Sequence, residues 1–254
     1  MFFKDAIYVG IDPASGRKAY TYAALDNDLK LVTLADGENE DLAAFLSARK
    51  SAVVAVNAPS HVNCGFVRRK LENERAGSGL HQIRGADMRV AEYELRERGI
   101  IVGGTPGRTD ACPGWIQAGF SLYDQLTELG FEPSPMPEAP CQWLETHPHA
   151  CYCVLLEQNP LPRPTLEGRL QRQSVLYERG VGVQDALGFF EEITRFRLLK
   201  GILPWEMIHA PAALDVLVAA YTAWMSVHKP EEVSRLGETE EGLITVPGLL
   251  KEKY

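Results

Sequence analysis

The chain opens with an apolar run at residues 7–12 that stops at Asp12-Pro13, and Pro13-Ala14-Ser15-Gly16 carries turn chemistry. Residues 19–25 follow with Tyr20, Tyr22 and Ala24 at every second position, the period of a strand. After the turn Asp26-Asn27-Asp28, residues 29–34 read as a third strand, so the opening is a β-meander. The period then changes. Leu42, Phe45 and Leu46 form an i, i+3, i+4 stripe behind a candidate N-cap at Asn39, which predicts a helix. Residues 51–56 are a continuous run of small, mostly apolar residues, the pattern of a strand covered on both faces. A strand-helix-strand passage implies a right-handed crossover and parallel pairing. The predicted order is β-β-β-α-β, three antiparallel strands extended by a parallel one.

Residues 60–85 are glycine-rich and polar, contain Arg68-Arg69-Lys70, and read as a loop or an excursion from the sheet. Residues 86–98 predict a charged helix stopped by Gly99. Trp115, Gly119, Leu122 and Leu126 share one face of another, which ends at Gly130. A proline-rich connector, 133–140, leads into a short strand at 142–147. Three helices are expected next, from Thr165 as cap to about 179, over 185–199, and over 211–227, the last the most hydrophobic. Residues 244–250 read as a last edge strand. No repeat, low-complexity tract or long linker argues for two independent domains. Residues 1–254 therefore read as one α/β domain, with 60–140 as an inserted loop or helical lobe.

Hydrophobic residues make up 45% of the 254 and charged residues 24%, which supplies a core and excludes whole-chain disorder. The net charge of -8 repels a phosphate backbone, so a nucleic-acid ligand would need a local basic patch or bridging cations. The five cysteines (Cys64, Cys112, Cys141, Cys151, Cys153) are an odd set without framework spacing and read as reduced thiols. Lys4 and Asp5 precede the first apolar run, unlike a signal or transit peptide. No apolar stretch is expected to reach the roughly 20 residues that cross a bilayer. The expectation is a cytoplasmic protein without a membrane partner, of unknown oligomeric state.

Four places carry candidate chemistry. Asp12 ends the first strand, where α/β sheets open their ligand crevice; it either faces a ligand or caps the following turn. Asn57 ends the parallel strand and becomes its neighbour, as a neutral cation ligand or an Asx-turn. Glu145, His147 and His149 fall within five positions and would point the same way on an extended strand, as a cation ligand with a general base or as a polar strand end. Asp215 flanks the apolar stripe Leu214, Leu217, Val218, Tyr221 and Trp224, as a site carboxylate or as a partner of the helix dipole. Arg163, Arg169 and Arg172 form a basic face suited to phosphates or simply to solvent. No Walker loop, dinucleotide fingerprint or nucleophile elbow is present.

Taken in order, Val9-Gly10-Ile11-Asp12, Val56-Asn57-Ala58-Pro59, Arg84-Gly85-Ala86-Asp87, Glu94-Leu95-Arg96-Glu97-Arg98-Gly99, residues 115–123, Glu145-Thr146-His147-Pro148-His149-Ala150, residues 165–169 and residues 213–221 resemble the family catalogued as domain of unknown function 429, described as predicted RNase H-like nucleases. The resemblance implies an RNase H-like mixed sheet, three antiparallel strands plus parallel strands, with flanking helices and a helical excursion. It implies a metal-dependent nuclease or phosphodiesterase acting on nucleic acid or a nucleotide. Asp12, Glu145 and Asp215, with Asn57 beside them, would hold Mg²⁺ or Mn²⁺; His147 would move the proton; Arg84, Asp87 and Arg169 would contact substrate. Asn57 departs from the aspartate usual before Ala-Pro in such proteins. Since ions roughly 4 Å apart need dense negative charge, the amide argues against a full two-metal site. Two alternatives stay open: a non-catalytic nucleotide- or nucleic-acid-binding module with a degenerate acidic site, and a small-molecule phosphotransferase of the related actin-like fold.

Overall fold

The computed structural model describes residues 5–13, 20–74 and 85–254. The turns expected at 14–16 and 76–79, and Arg84, lie outside the described residues. The chain folds into a mixed α/β architecture around one sheet. Strands β1 (Ile7–Asp12), β2 (Tyr20–Leu25) and β3 (Leu31–Gly37) pair antiparallel, helix α1 (Asn39–Ser47) crosses over, and β4 (Ala52–Val56) returns parallel to β1. The predicted β-β-β-α-β order is therefore present. Strand β6 (Cys141–Thr146) extends the sheet parallel to β4, and the two-residue β5 (Glu132–Pro133) pairs with it. The short strands β7 (Ser234–Leu236) and β8 (Ile244–Val246) complete the order β3-β2-β1-β4-β6-β8-β7.

Side-chain alternation sorts the central strands onto two faces. Tyr8, Val53, Ala55 and Leu144 join one core with helices α5 (Pro148–Leu156), α6 (Leu166–Glu178) and α9 (Pro211–His228). Ile7, Val9, Ile11, Val54 and Val56 join the other with α1 and α4 (Gly114–Glu128). So α4, part of the expected inserted lobe, is a sheet-covering helix. Helix α9 presses its small face (Ala219, Ala220, Ala223) across β1, β2 and β4. Gly10 is what permits that contact, because a Cβ there would lie 2.0 Å from the Val216 carbonyl oxygen and 2.5 Å from the Ala220 nitrogen. Two residues beyond Gly10 on the same face comes Asp12, and immediately before Val216 comes Asp215.

Several boundaries differ from expectation. The excursion after β4 contains a helix, α2 (Phe66–Glu74), which buries Val67 and packs on the next helix, α3 (Val90–Glu97). Helix α3 is only Val90–Glu97, because residues 85–87 form a turn with Gly85 in the left-handed region. Helix α4 buries Ile116 with Gly119, Leu122 and Leu126, and leaves Trp115 41% exposed, outside the stripe assigned to it. The helix expected at 185–199 is two, α7 (Gly188–Glu191) and α8 (Arg195–Leu199), the second restarted by Thr194 accepting from the Arg197 amide at 3.2 Å. The last strand is not the edge: β8 lies between β6 and β7. Residues 205–228 are also long and apolar enough to cross a bilayer, contrary to expectation, with 67% of their 18-residue apolar stretch buried inside the protein. All five cysteines are free thiols.

Candidate functional site

A cavity of about 800 Å³ opens at the carboxyl ends of β1, β4 and β6, and Asp12, Asn57, Glu145, His147 and Asp215 all line it. The carboxylates within it are not equivalent. Ile11 pairs with Val56 and Val56 with Glu145, so these three share the sheet face covered by α4. One residue further on, Asp12 and Asn57 fall on the α9 face, where the Asn57 amide donates to Asp12 Oδ1 at 2.9 Å. Thr146, not Glu145, continues that row, and its hydroxyl is spent on the Thr245 carbonyl at 2.8 Å.

Glu145 is consequently held by a different set of groups. It is 3% exposed and accepts from the Ser60 amide at 2.7 Å, the Ser60 hydroxyl at 2.9 Å, and Arg89 Nη1 and Nη2 at 3.0 and 2.5 Å. Arg89 is itself buried, and its Nε donates to Glu92 at 2.9 Å. Both Glu145 oxygens are thus engaged by a bidentate ion pair with Arg89, which neutralises the charge that the cation assigned to it would need.

Asp12 and Asp215 are poised otherwise. Asp215 Oδ2 accepts from Arg163 Nε at 2.7 Å and lies 2.5 Å from Nη2, while Oδ1 takes no hydrogen bond among the described residues. Asp12 Oδ2 is likewise unclaimed among them. Burial pushes the Asp215 carboxyl up to about 6; Arg163 opposes the rise and the neighbouring charge of Asp12 adds to it. Burial also raises Asp12, against the Asn57 hydrogen bond and the Arg163 charge. Asp215 stands at the fifth residue of α9, beyond the first-turn position where the dipole reading placed it.

His147 does not continue β6. It is the N-cap of α5, its Nδ1 accepting from the Ala150 amide at 3.4 Å, so the turn before Pro148 replaces the extended geometry expected through His149. Burial, aided by His149, lowers its pKa to about 4, so at neutral pH the ring is uncharged and only Nε2 is left to exchange a proton. Asp87 is exposed and ion-paired with Arg68 beside a separate hollow. Arg169 donates to the carbonyls of His209 and Ile208 at 2.9 and 2.7 Å and stacks over Trp205, holding the entry to α9 rather than the cavity.

Three arginines that line the cavity were not assigned to the site from sequence: Arg89, and Arg163 and Arg172, which were read with Arg169 only as a basic face suited to phosphates or to solvent. The spacing Arg89-x-x-Glu92 at a helix start was a legible sign of the first. The other two depend on Gly168, where a Cβ would lie 2.0 Å from the Pro162 carbonyl oxygen; the helix start and the preceding proline loop are thereby packed together. Asp12 and Asp215 each offer a free oxygen and Asn57 a carbonyl, whereas among the described residues no group of three or more His, Cys, Asp or Glu is placed to share a metal.

No curated protein and no solved structure is significantly similar to the chain. A family model, described as protein of unknown function (DUF429), matches residues 10–241, a stretch that includes Asp12, Asn57, Glu145 and all of α9, and the chain therefore belongs to that family.

Proposed function

We propose that this protein has an RNase H-like fold and hydrolyses phosphate esters with the help of one divalent cation held by Asp12, Asp215 and Asn57. The observation that carries the reading is the meeting of Asp12 and Asp215, from opposite ends of the chain, in one cavity with an unclaimed oxygen on each. A bound Mg²⁺ or Mn²⁺ supplies charge neutralisation to the phosphate and a water of lowered pKa. The chain's own residues supply the rest. Asn57 orients Asp12 through its amide and keeps its carbonyl for the ion. Glu145, tied to Arg89, holds the end of β6 to the start of α3 and takes no part as a ligand. His147 is neutral at working pH, and with Nδ1 accepting from the Ala150 amide it carries its proton on Nε2, which can donate a hydrogen bond to the leaving or phosphoryl oxygen.

The test is hydrolysis of a phosphodiester such as bis-p-nitrophenyl phosphate, and of single-stranded oligonucleotides, in Mn²⁺ and in chelator. Turnover should need Mn²⁺ and vanish in Asp12→Ala and Asp215→Ala. Equal, metal-independent rates in all three proteins would remove the proposal. A second reading, a binding module without turnover, is favoured by the engagement of Glu145 in the Arg89 ion pair, which removes one carboxylate from the acidic set. Mn²⁺ binding without any hydrolysis would select it.

A further inference from the structure

The cavity also has a cationic wall that the metal reading does not use. Arg172, on α6, is only 3% exposed, yet no carboxylate lies within ion-pair distance of it among the described residues. Its Nη1 donates to the carbonyls of Leu161 and Gly168 at 2.8 and 2.9 Å, and the guanidinium rests 5.2 Å from the Tyr152 ring centroid. Those contacts fix its position. Nε and Nη2 have no hydrogen-bond partner there, and neither is sealed away from the cavity that Arg172 lines. The charge of Asp215 acts on Arg172 only from beyond ion-pair distance, so a desolvated guanidinium keeps two donors free for an anion.

Arg163 stands beside it in the opposite condition. Its side chain is half exposed, two of its nitrogens sit on Asp215 Oδ2, and its Nη1 is unclaimed. It carries in the free protein the charge that would otherwise be missing between Asp12 and Asp215. A cation on the free oxygens of these two carboxylates would compete with it for their charge.

We propose that Arg172 and Arg163 form an anion subsite for the phosphate of a small phosphorylated molecule, with Arg172 fixed and Arg163 exchanging between Asp215 and that phosphate. The cavity, at about 800 Å³, has the size of a pocket for a nucleotide-sized ligand. This deepens the cation-assisted reading and rests on it for the identity of the scissile ester, but the subsite itself is measurable with no cation present.

The experiment is calorimetric titration of the whole protein with inorganic phosphate in chelator. The wild type should bind in the millimolar range or tighter. Arg172→Lys keeps the charge and loses the fork, and should weaken binding about tenfold. Arg163→Gln should weaken it less. Asp215→Asn should tighten it severalfold, by removing a like charge and releasing Arg163. Without phosphate, Arg163→Gln should tighten Mn²⁺ binding, since the competitor for Asp215 is gone. No phosphate binding by the wild type, or equal binding by wild type and a folded Arg172→Lys, overturns the subsite. If Arg172→Lys does not fold, Arg163→Gln and Asp215→Asn decide, and phosphate affinities equal to the wild type in both overturn it. Failure of the wild type to bind Mn²⁺ would sink the cation reading alone and leave the phosphate series standing.

Discussion

Two groups of acids lie at the same rim of the sheet and differ in almost everything but chemistry. Glu92, Glu145 and Glu241 surround Arg89. Glu145 takes four hydrogen bonds, Glu241 caps the amides of Cys64 and Val90 at 2.7 and 2.9 Å, and Glu92 receives the Thr105 amide at 2.9 Å. Asp12 and Asp215, on the other face, share one asparagine and one half-exposed arginine, and burial raises both. The first group is saturated and tethers β6, α3 and the loop before β8 to one another. The second is under-satisfied, which is the condition for binding something. A carboxylate's role here follows from its strand parity and its donors.

The sharpest way to break this comparison is Arg89→Met. It leaves Glu145 and Glu92 desolvated without their counterion, and should cost on the order of 3–5 kcal/mol in urea denaturation. A cost under about 1 kcal/mol, as for an exposed ion pair, would mean that the network is not structural. The under-satisfied group should show the opposite sign. Asp215 has a folded pKa of about 6 against an ordinary 3.8, so the folded protein binds its proton more tightly than the unfolded one. Its contribution is therefore nil below about pH 4, and stability falls as pH rises through the window to about 6, by on the order of 3 kcal/mol at neutrality. Thermal unfolding in chelator from pH 3.5 to 7 should show Asp215→Asn gaining on the wild type across that window. Parallel curves would show that Asp215 is not strained by burial.

The meander, the crossover and the adjacency of Asp12 and Asn57 were legible because periodicity and strand ends are local properties, whereas the arrival of Asp215 beside them was implied only by the family resemblance. The period of two also contained the correction for Glu145. Trp143 packs with the α4-side core and Glu145 shares its parity, whereas Leu144 is the residue facing α9. Reading Glu145, His147 and His149 as one row ignored the helix that Pro148 begins. Gly10 was legible as a glycine but not as the point where α9 touches β1, since that contact joins residues at opposite ends of the chain. Arg163 and Arg172 looked like Arg169, three cations on a polar helix start. Only packing separates them, sending Arg169 to carbonyls at the entry to α9 and the other two into the cavity.

Asn57→Asp probes the comparison with the smallest change. The Asn57 amide donates to Asp12 at 2.9 Å, and the substitution replaces that donor by a second acceptor with a charge. Two carboxylates in hydrogen-bond contact do not both stay ionised unless a proton or a cation lies between them. In chelator at neutral pH the variant should therefore lose about 1–3 kcal/mol of stability, the cost of a buried group left facing the wrong partner. Millimolar Mn²⁺ should restore it, and the variant should bind the ion more tightly than the wild type. The same substitution in a saturated setting would only destabilise. A variant that matches the wild type both in chelator and in Mn²⁺ titration would show that Asp12 and position 57 are not crowded enough to share an ion, and the open half of the rim would then be no more a cation site than the closed half.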